Sequence, residues 1–275
     1  MKKYLAFALF SFISLHSFCQ TFFQDIGDED YKNLMKNGLT YVLTGDKNID
    51  PIMEQSLKNE WKVSSYKIVD ASKAAMLNDD DIQITLLSGE GMPLALNLCI
   101  VSVKSLKKKG ISIYSTTAMA GITGFTGVIN GKSLYYFVPY LVSAFNDMAT
   151  KMNVNKVEQR GLPYFNKMNA LYIPSAKVLK EKTLLIVDQE TAIVNEAELK
   201  KAGIKYEFVS FSRFLELESK EPQDYCVLYL NPSMYSEITI FNLSDKSIAY
   251  TRHYVKNVPK LDKADIKLIV SSWNN

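Results

Sequence analysis

Apolar and polar positions along this chain write one β-α-β phrase twice. Residues 40–46, TYVLTGD, begin a strand; Asp50-Pro51 cap and open a helix reaching about Trp61; residues 65–70, SYKIVD, begin the next strand. The phrase returns as TLLIVD (183–188), a helix between Asn195 and Gly203, and KYEFVS (205–210). Period-two alternation marks the strands and a 3.6-residue period the helices. The two helices start by different chemistry to the same end, with Pro at the first helical position in one copy and an Asn195-x-x-Glu198 box in the other.

Each phrase continues in the same way. DIQITLLS (81–88) and DYCVLYLN (224–231) follow short acidic linkers. Two more strand-like runs come next, LNLCIVSV with ISIYSTT in the first copy and EITIFNL with SIAYTRHYV in the second. KSLKKKG and LSDK join them and suit hairpin turns. Each copy then closes with a helix, one carrying Leu141, Phe145, Met148 and Met152 on a single stripe, the other Ile266, Ile269 and Trp273.

The predicted fold class is therefore α/β, with two tandem copies of a β-α-β-α-β-β-β-α unit. Crossovers give parallel pairs and hairpins antiparallel ones, so each sheet is mixed, with helices against it. The expected organisation is a signal peptide over 1–19, an N-terminal helical extension over 20–38, a first repeat over 39–153, a connection over 154–180 and a second repeat over 181–275.

The order β-α-β, hairpin, closing helix, with Met92-Pro93 just ahead of a strand, resembles a thioredoxin-like unit in topology. The resemblance carries no catalytic residues, because the chain has no C-x-x-C and each copy has a strand left over. The whole pattern is also similar to uncharacterised exported bacterial proteins with two tandem α/β repeats, which implies a location and an architecture but no activity.

The first residues, MKKYLAFALFSFISLHSFCQ, change the picture by adding a compartment. Lys2 and Lys3, an apolar run to about Leu15 and the segment ending at Cys19 read as an export signal cut between Cys19 and Gln20. The run is short of the roughly 20 residues that span a bilayer. Acylation of Cys19 is disfavoured by the bulky Phe18 before it. The expected location is the periplasm, or the cell surface or medium after secretion, with no transmembrane helix left after processing.

Processing leaves 256 residues, and losing Lys2 and Lys3 lowers the formal charge from +3 to +1. That balance demands neither nucleic acid nor an anionic membrane. With 47% apolar and 22% charged residues the chain has enough apolar side chains for a real core. Cys99 and Cys226 sit in apolar runs and read as small buried hydrophobes; a disulfide between them is the alternative an oxidising compartment permits.

One stretch imitates a phosphate loop. GITGFTGVINGKS (121–133) ends in Gly-Lys-Ser, but the first glycine of G-x-x-x-x-G-K-[ST] would have to be residue 126, which is Thr126. Gly127 comes one position late and Gly124 two early, and Pro139 interrupts the helix such a loop must feed. Nucleotide chemistry is set aside. Between Gly110 and Asn146 the one charged residue is Lys132, so a water-exposed loop here is a sticky patch. Gly121, Gly124, Phe125, Gly127, Val128, Ile129 and Lys132 form the candidate partner-contact loop, and a packed connecting loop is the plain alternative.

Other signals read as structure. Asp46, Asn48 and Asp50 match the start of a calcium loop, but Pro51 and Leu57 replace its glycine and closing glutamate, so a helix cap at Asp50 explains them better. Asp79, Asp80 and Asp81 read as a solvated turn, and Lys104, Lys107, Lys108 and Lys109 as a basic hairpin tip that resists edge pairing. His253 is the one histidine after processing and sits in a strand without a G-x-S-x-G elbow or further zinc ligands. No catalytic, cofactor-binding or metal residue and no cofactor is assigned. The expected function is an exported non-enzymatic binding or assembly protein of the bacterial envelope, its partner an envelope protein or surface polymer and not a nucleic acid. The alternative is a periplasmic or secreted hydrolase using carboxylates.

Overall fold

The computed structural model describes residues 28–88, 96–108, 122–125, 135–155, 162–187, 194–231, 236–254 and 260–274. The first five strands are β1 (Leu39–Val42), β2 (Tyr66–Val69), β3 (Ile82–Ser88), β4 (Leu96–Ser102) and β5 (Ile122–Phe125). Their helices are α1 (Asp28–Asn37), α2 (Asp50–Glu60), α3 (Val103–Lys108) and α4 (Val138–Asn155). The later half has β6 (Thr183–Val187), β7 (Tyr206–Val209), β8 (Tyr225–Asn231), β9 (Ser236–Asn242) and β10 (Ile248–Tyr254). Its helices are α5 (Leu162–Tyr172), α6 (Glu196–Ala202), α7 (Phe211–Lys220) and α8 (Lys263–Ser271).

These strands make two mixed five-stranded sheets with one plan. The first runs β2-β1-β3-β4-β5 and the second, taken from its β7 edge, β7-β6-β8-β9-β10. In each, the first three strands in that order are parallel and the last three antiparallel. Register matches too: Leu39 faces Tyr66 and Ile82, as Leu184 faces Tyr206 and Cys226. Strand alternation then sends Leu39, Tyr41, Ile82 and Ile84 to the side of α2 and α4, and Leu184, Ile186, Cys226 and Leu228 to the side of α6 and α8.

The opposite face of the second sheet completes the first unit. Leu185, Val227, Tyr229 and Phe241 belong to the same buried cluster as Val138, Tyr140 and Leu141 of α4. One core thus spans both sheets. The stretch 154–180 contains the end of α4, α5 and a 3-10 helix, Ile173–Lys180, and these last two pack against β10.

Two predicted features are corrected. KSLKKKG is not a hairpin turn: β4 runs directly into α3, with Val103 buried at its start. Beyond β3, the second antiparallel partner of β4 is Ile122–Phe125, from the stretch expected to be a glycine-rich loop, and ISIYSTT lies outside the described residues. Ile122, Thr123 and Phe125 are good strand formers, and pairing with β4 supplies this stretch with backbone partners despite Gly124. In the first unit the link between β2 and β3 is a short 3-10 helix, Ala71–Met76, where the second unit has the full helix α7.

Candidate functional site

The junction of the two units is built from the start of α4. The turn 135–137 leads into the helix, and the four-residue spacing of Tyr136 and Tyr140 lets both reach Glu218 of α7. The Tyr140 hydroxyl donates over 2.5 Å to one carboxylate oxygen and Tyr136 donates to the other. Around them Phe137 meets Tyr229 with ring centroids 5.3 Å apart, and Tyr140 meets Phe241 at 5.4 Å. Burial, reinforced by the Glu218 charge, drives both phenols well above their ordinary pKa.

Beside this latch lies a pocket of about 400 Å³. Ile52, Gln55, Asn59 and Glu60 of α2 line one wall, Pro139 another, and Lys246 from the β9–β10 turn closes the side toward the second sheet. Lys246 Nζ lies 3.7 Å from Glu60 Oε1 and 5.9 Å from the centre of the Tyr140 ring.

A second polar group sits at the β10 edge of the second sheet. Fully buried Asp265 accepts hydrogen bonds from the Tyr250 hydroxyl at 2.8 Å, from Arg252 at 3.0 Å and from the Asp262 backbone N–H at 3.1 Å. Asp262 in turn accepts from the N–H groups of Ala264 and Asp265, closing a capping box at the start of α8. Burial raises the Asp265 pKa by more than Arg252 and Tyr250 lower it. A recess of about 190 Å³ adjoins, lined by Asn166, Asn169, Ile173, Arg252 and Leu268 among others. On the same strands, Glu237 accepts from Thr239, whose oxygen lies 2.8 Å from that of Thr251.

Of the candidate contact loop, Gly124 and Phe125 lie in β5, opposite Leu98 and Asn97 of β4. Gly121, Gly127, Val128, Ile129 and Lys132 lie outside the described residues. The capping role expected of Asp50 is also corrected. Ile49 holds the cap position without a side-chain bond, and the Asp50 carboxylate turns back to accept from Tyr41, from Thr44 twice and from the Gly45 N–H. Burial pushes its pKa up, but these four donors together outweigh it and hold it down. Asp46 is likewise occupied, accepting from Asn48 and from Tyr135.

The acidic turn is less solvated than its sequence suggests. Asp81 is buried, 2.7 Å from Lys67 Nζ, and also accepts from the Asn78 N–H. The basic segment is a helix with Lys107 on Asp79 and Lys104 near Glu29, and Lys109 falls outside the described residues. His253 lies in β10 opposite Glu237. Cys99 and Cys226 lie buried in different sheets and are not bridged to one another, and burial pushes the Cys226 thiol up to about 12. Among the described residues no group of three or more His, Cys, Asp and Glu is placed to hold a metal ion, and no helix is long and apolar enough to cross a membrane.

Sequence reasoning passed over Tyr136, Tyr140, Glu218, Glu60 and Lys246, the residues that meet at the junction. The one local trace was the aromatic run Tyr135-Tyr136-Phe137 with Tyr140, inside the nearly uncharged segment. No protein-family model, no curated protein and no solved structure matches this chain.

Proposed function

We propose that the protein is an exported, non-enzymatic binding or assembly protein of the bacterial envelope, acting in the periplasm or at the cell surface after cleavage near Cys19-Gln20. The observation that carries this reading is how the buried acids are used. Asp265, Asp81 and Glu237, and partly buried Glu218, each accept hydrogen bonds from neighbours that belong to the fold. A carboxylate pair for hydrolysis needs one acid that can give up a proton and another facing water or substrate across an open cleft. Commitment to helix caps and inter-unit contacts favours recognition over turnover. The export-type leader is what supports the compartment.

Affinity capture with the mature chain from its own envelope, compared with a screen of the same protein on glycosides, esters and peptides, tests the proposal. A specific envelope partner with no turnover is the expected result. Turnover abolished by changing a single carboxylate would overturn it in favour of the hydrolase.

A further inference from the structure

We propose that the pocket between α2 and the β9–β10 turn binds a small zwitterion of the α-amino carboxylate class, with Lys246 taking its carboxylate and Glu60 its ammonium. The inference rests on the reading of the chain as a binding protein and names a ligand class for it.

The charge pair is the first support. Lys246 Nζ and Glu60 Oε1 are 3.7 Å apart, beyond hydrogen-bond reach, with side chains only 27% and 17% exposed. Neither head group makes a hydrogen bond to a described residue. The two charges offset each other but leave their hydrogen-bonding positions open, and a ligand that fills both at once is favoured over one that fills either alone. An α-amino acid carries an anion and a cation on adjoining atoms, so it can pair with both heads at once. A simple anion meets repulsion from Glu60, and a simple cation meets it from Lys246.

The backbone gives independent support. Lys246 has φ 57°, and among the described residues it is the one non-glycine in the left-handed region. Gly or Asn occupies such a turn position more easily. The turn itself is closed by backbone bonds of 2.9 Å, from Lys246 N–H to Asn242 and from Asn242 N–H to Ser247. Those bonds do not require a lysine side chain. What the lysine adds is a cation aimed across the unit boundary, over Tyr140 and at Glu60.

The walls fit the same ligand. About 400 Å³ accommodates an amino acid, and clefts between structural units are favoured ligand sites. Ile52 and Pro139 offer an apolar surface for a side chain, while the Gln55 and Asn59 amides stand at the exposed rim.

Titration calorimetry of the whole mature chain with leucine, N-acetyl-leucine and leucine amide at neutral pH is the test. Leucine is expected to bind, and blocking either end to weaken binding about tenfold or more, the loss expected for one charge-assisted hydrogen bond. Lys246→Asn and Glu60→Gln should each weaken leucine binding similarly while keeping a cooperative thermal transition. Absence of leucine binding, or binding indifferent to blocked ends or to both substitutions, overturns the proposal. Such a failure leaves the broader binding reading intact if envelope capture still yields a partner through another surface.

Discussion

Tyr140 donates a 2.5 Å hydrogen bond to Glu218, 78 positions further along the chain, while Tyr136 donates to the other oxygen of the same carboxylate. Removing the acceptor leaves two largely buried hydroxyls with only each other, whereas removing one donor leaves the acid partnered. Glu218→Ala is therefore expected to cost about 2–4 kcal/mol and Tyr140→Phe about 1–2 kcal/mol. Urea unfolding of both variants, with the double variant to measure coupling, checks this. Strictly additive losses would show that the two residues do not act together.

Tyr41, Tyr136, Tyr140 and Tyr250 all have pKa values raised chiefly by burial, each with a carboxylate alongside. A group raised in the folded state contributes stability that is complete below its unfolded pKa, about 10 for a phenol, and is lost as pH climbs past it. Stability is thus expected to fall steeply in the alkaline range. Phenolate absorbance followed together with circular dichroism should show these four ionising only as the fold is lost. Their ionisation in an intact fold would refute the assignment.

The β-α-β phrases were legible because β1, β6 and the helices after them carry a local period and local stop signals such as Gly203. The pairing of β4 was not, because a strand partner is chosen by tertiary register. Gly124 weighs against a strand on local propensity, and the pairing of Ile122–Phe125 along β4 outweighs it. Lysines at 104, 107 and 108 suggested a turn by charge, yet lysine also favours helix, and the buried Val103 anchors one there. The junction of Glu218, Tyr140, Glu60 and Lys246 joins residues remote in sequence, which no local pattern records.

Asp265 is an acid whose burial outweighs its cationic partner, so its removal should be felt through the groups left behind. Asp265→Ala takes the acceptor from the buried Tyr250 hydroxyl, leaves Arg252 with Asp262 at 3.9 Å as its carboxylate partner and frees the α8 cap. The expected loss is about 2–4 kcal/mol by chemical denaturation. The pH sign is also set. A raised carboxylate contributes stability below its unfolded pKa that is lost as pH rises through its folded value. Asp265→Asn should therefore flatten the stability profile over that acidic window, and an unchanged slope would contradict the shift.

Cys226 is buried and its thiol is pushed up to about 12, with burial the main cause and Lys182 acting weakly the other way. The thiolate is the reactive form, so alkylation at neutral pH should be negligible in the native protein and complete in denaturant. Mass spectrometry of iodoacetamide-treated samples decides it, and rapid native labelling of Cys226 would argue against its place in the core of the second sheet.

Gly38 and Gly203 both end helices in the left-handed region, at φ 84° and 75°, but their surroundings differ. A Cβ at Gly38 would stand 2.3 Å from the Ser65 carbonyl oxygen, whereas one at Gly203 meets nothing within 4 Å. That same Ser65 oxygen accepts the 2.9 Å bond from Leu39 N–H at the start of the β1–β2 pairing. Gly203→Ala bears only the left-handed penalty, about 1–2 kcal/mol. Gly38→Ala bears that penalty and must also displace backbone at the sheet edge, so its loss is expected to exceed that of Gly203→Ala by about 2 kcal/mol. Unfolding midpoints of the two single variants measured side by side test the difference. Equal losses would mean that the Ser65 segment yields freely and does not pin β2 to β1.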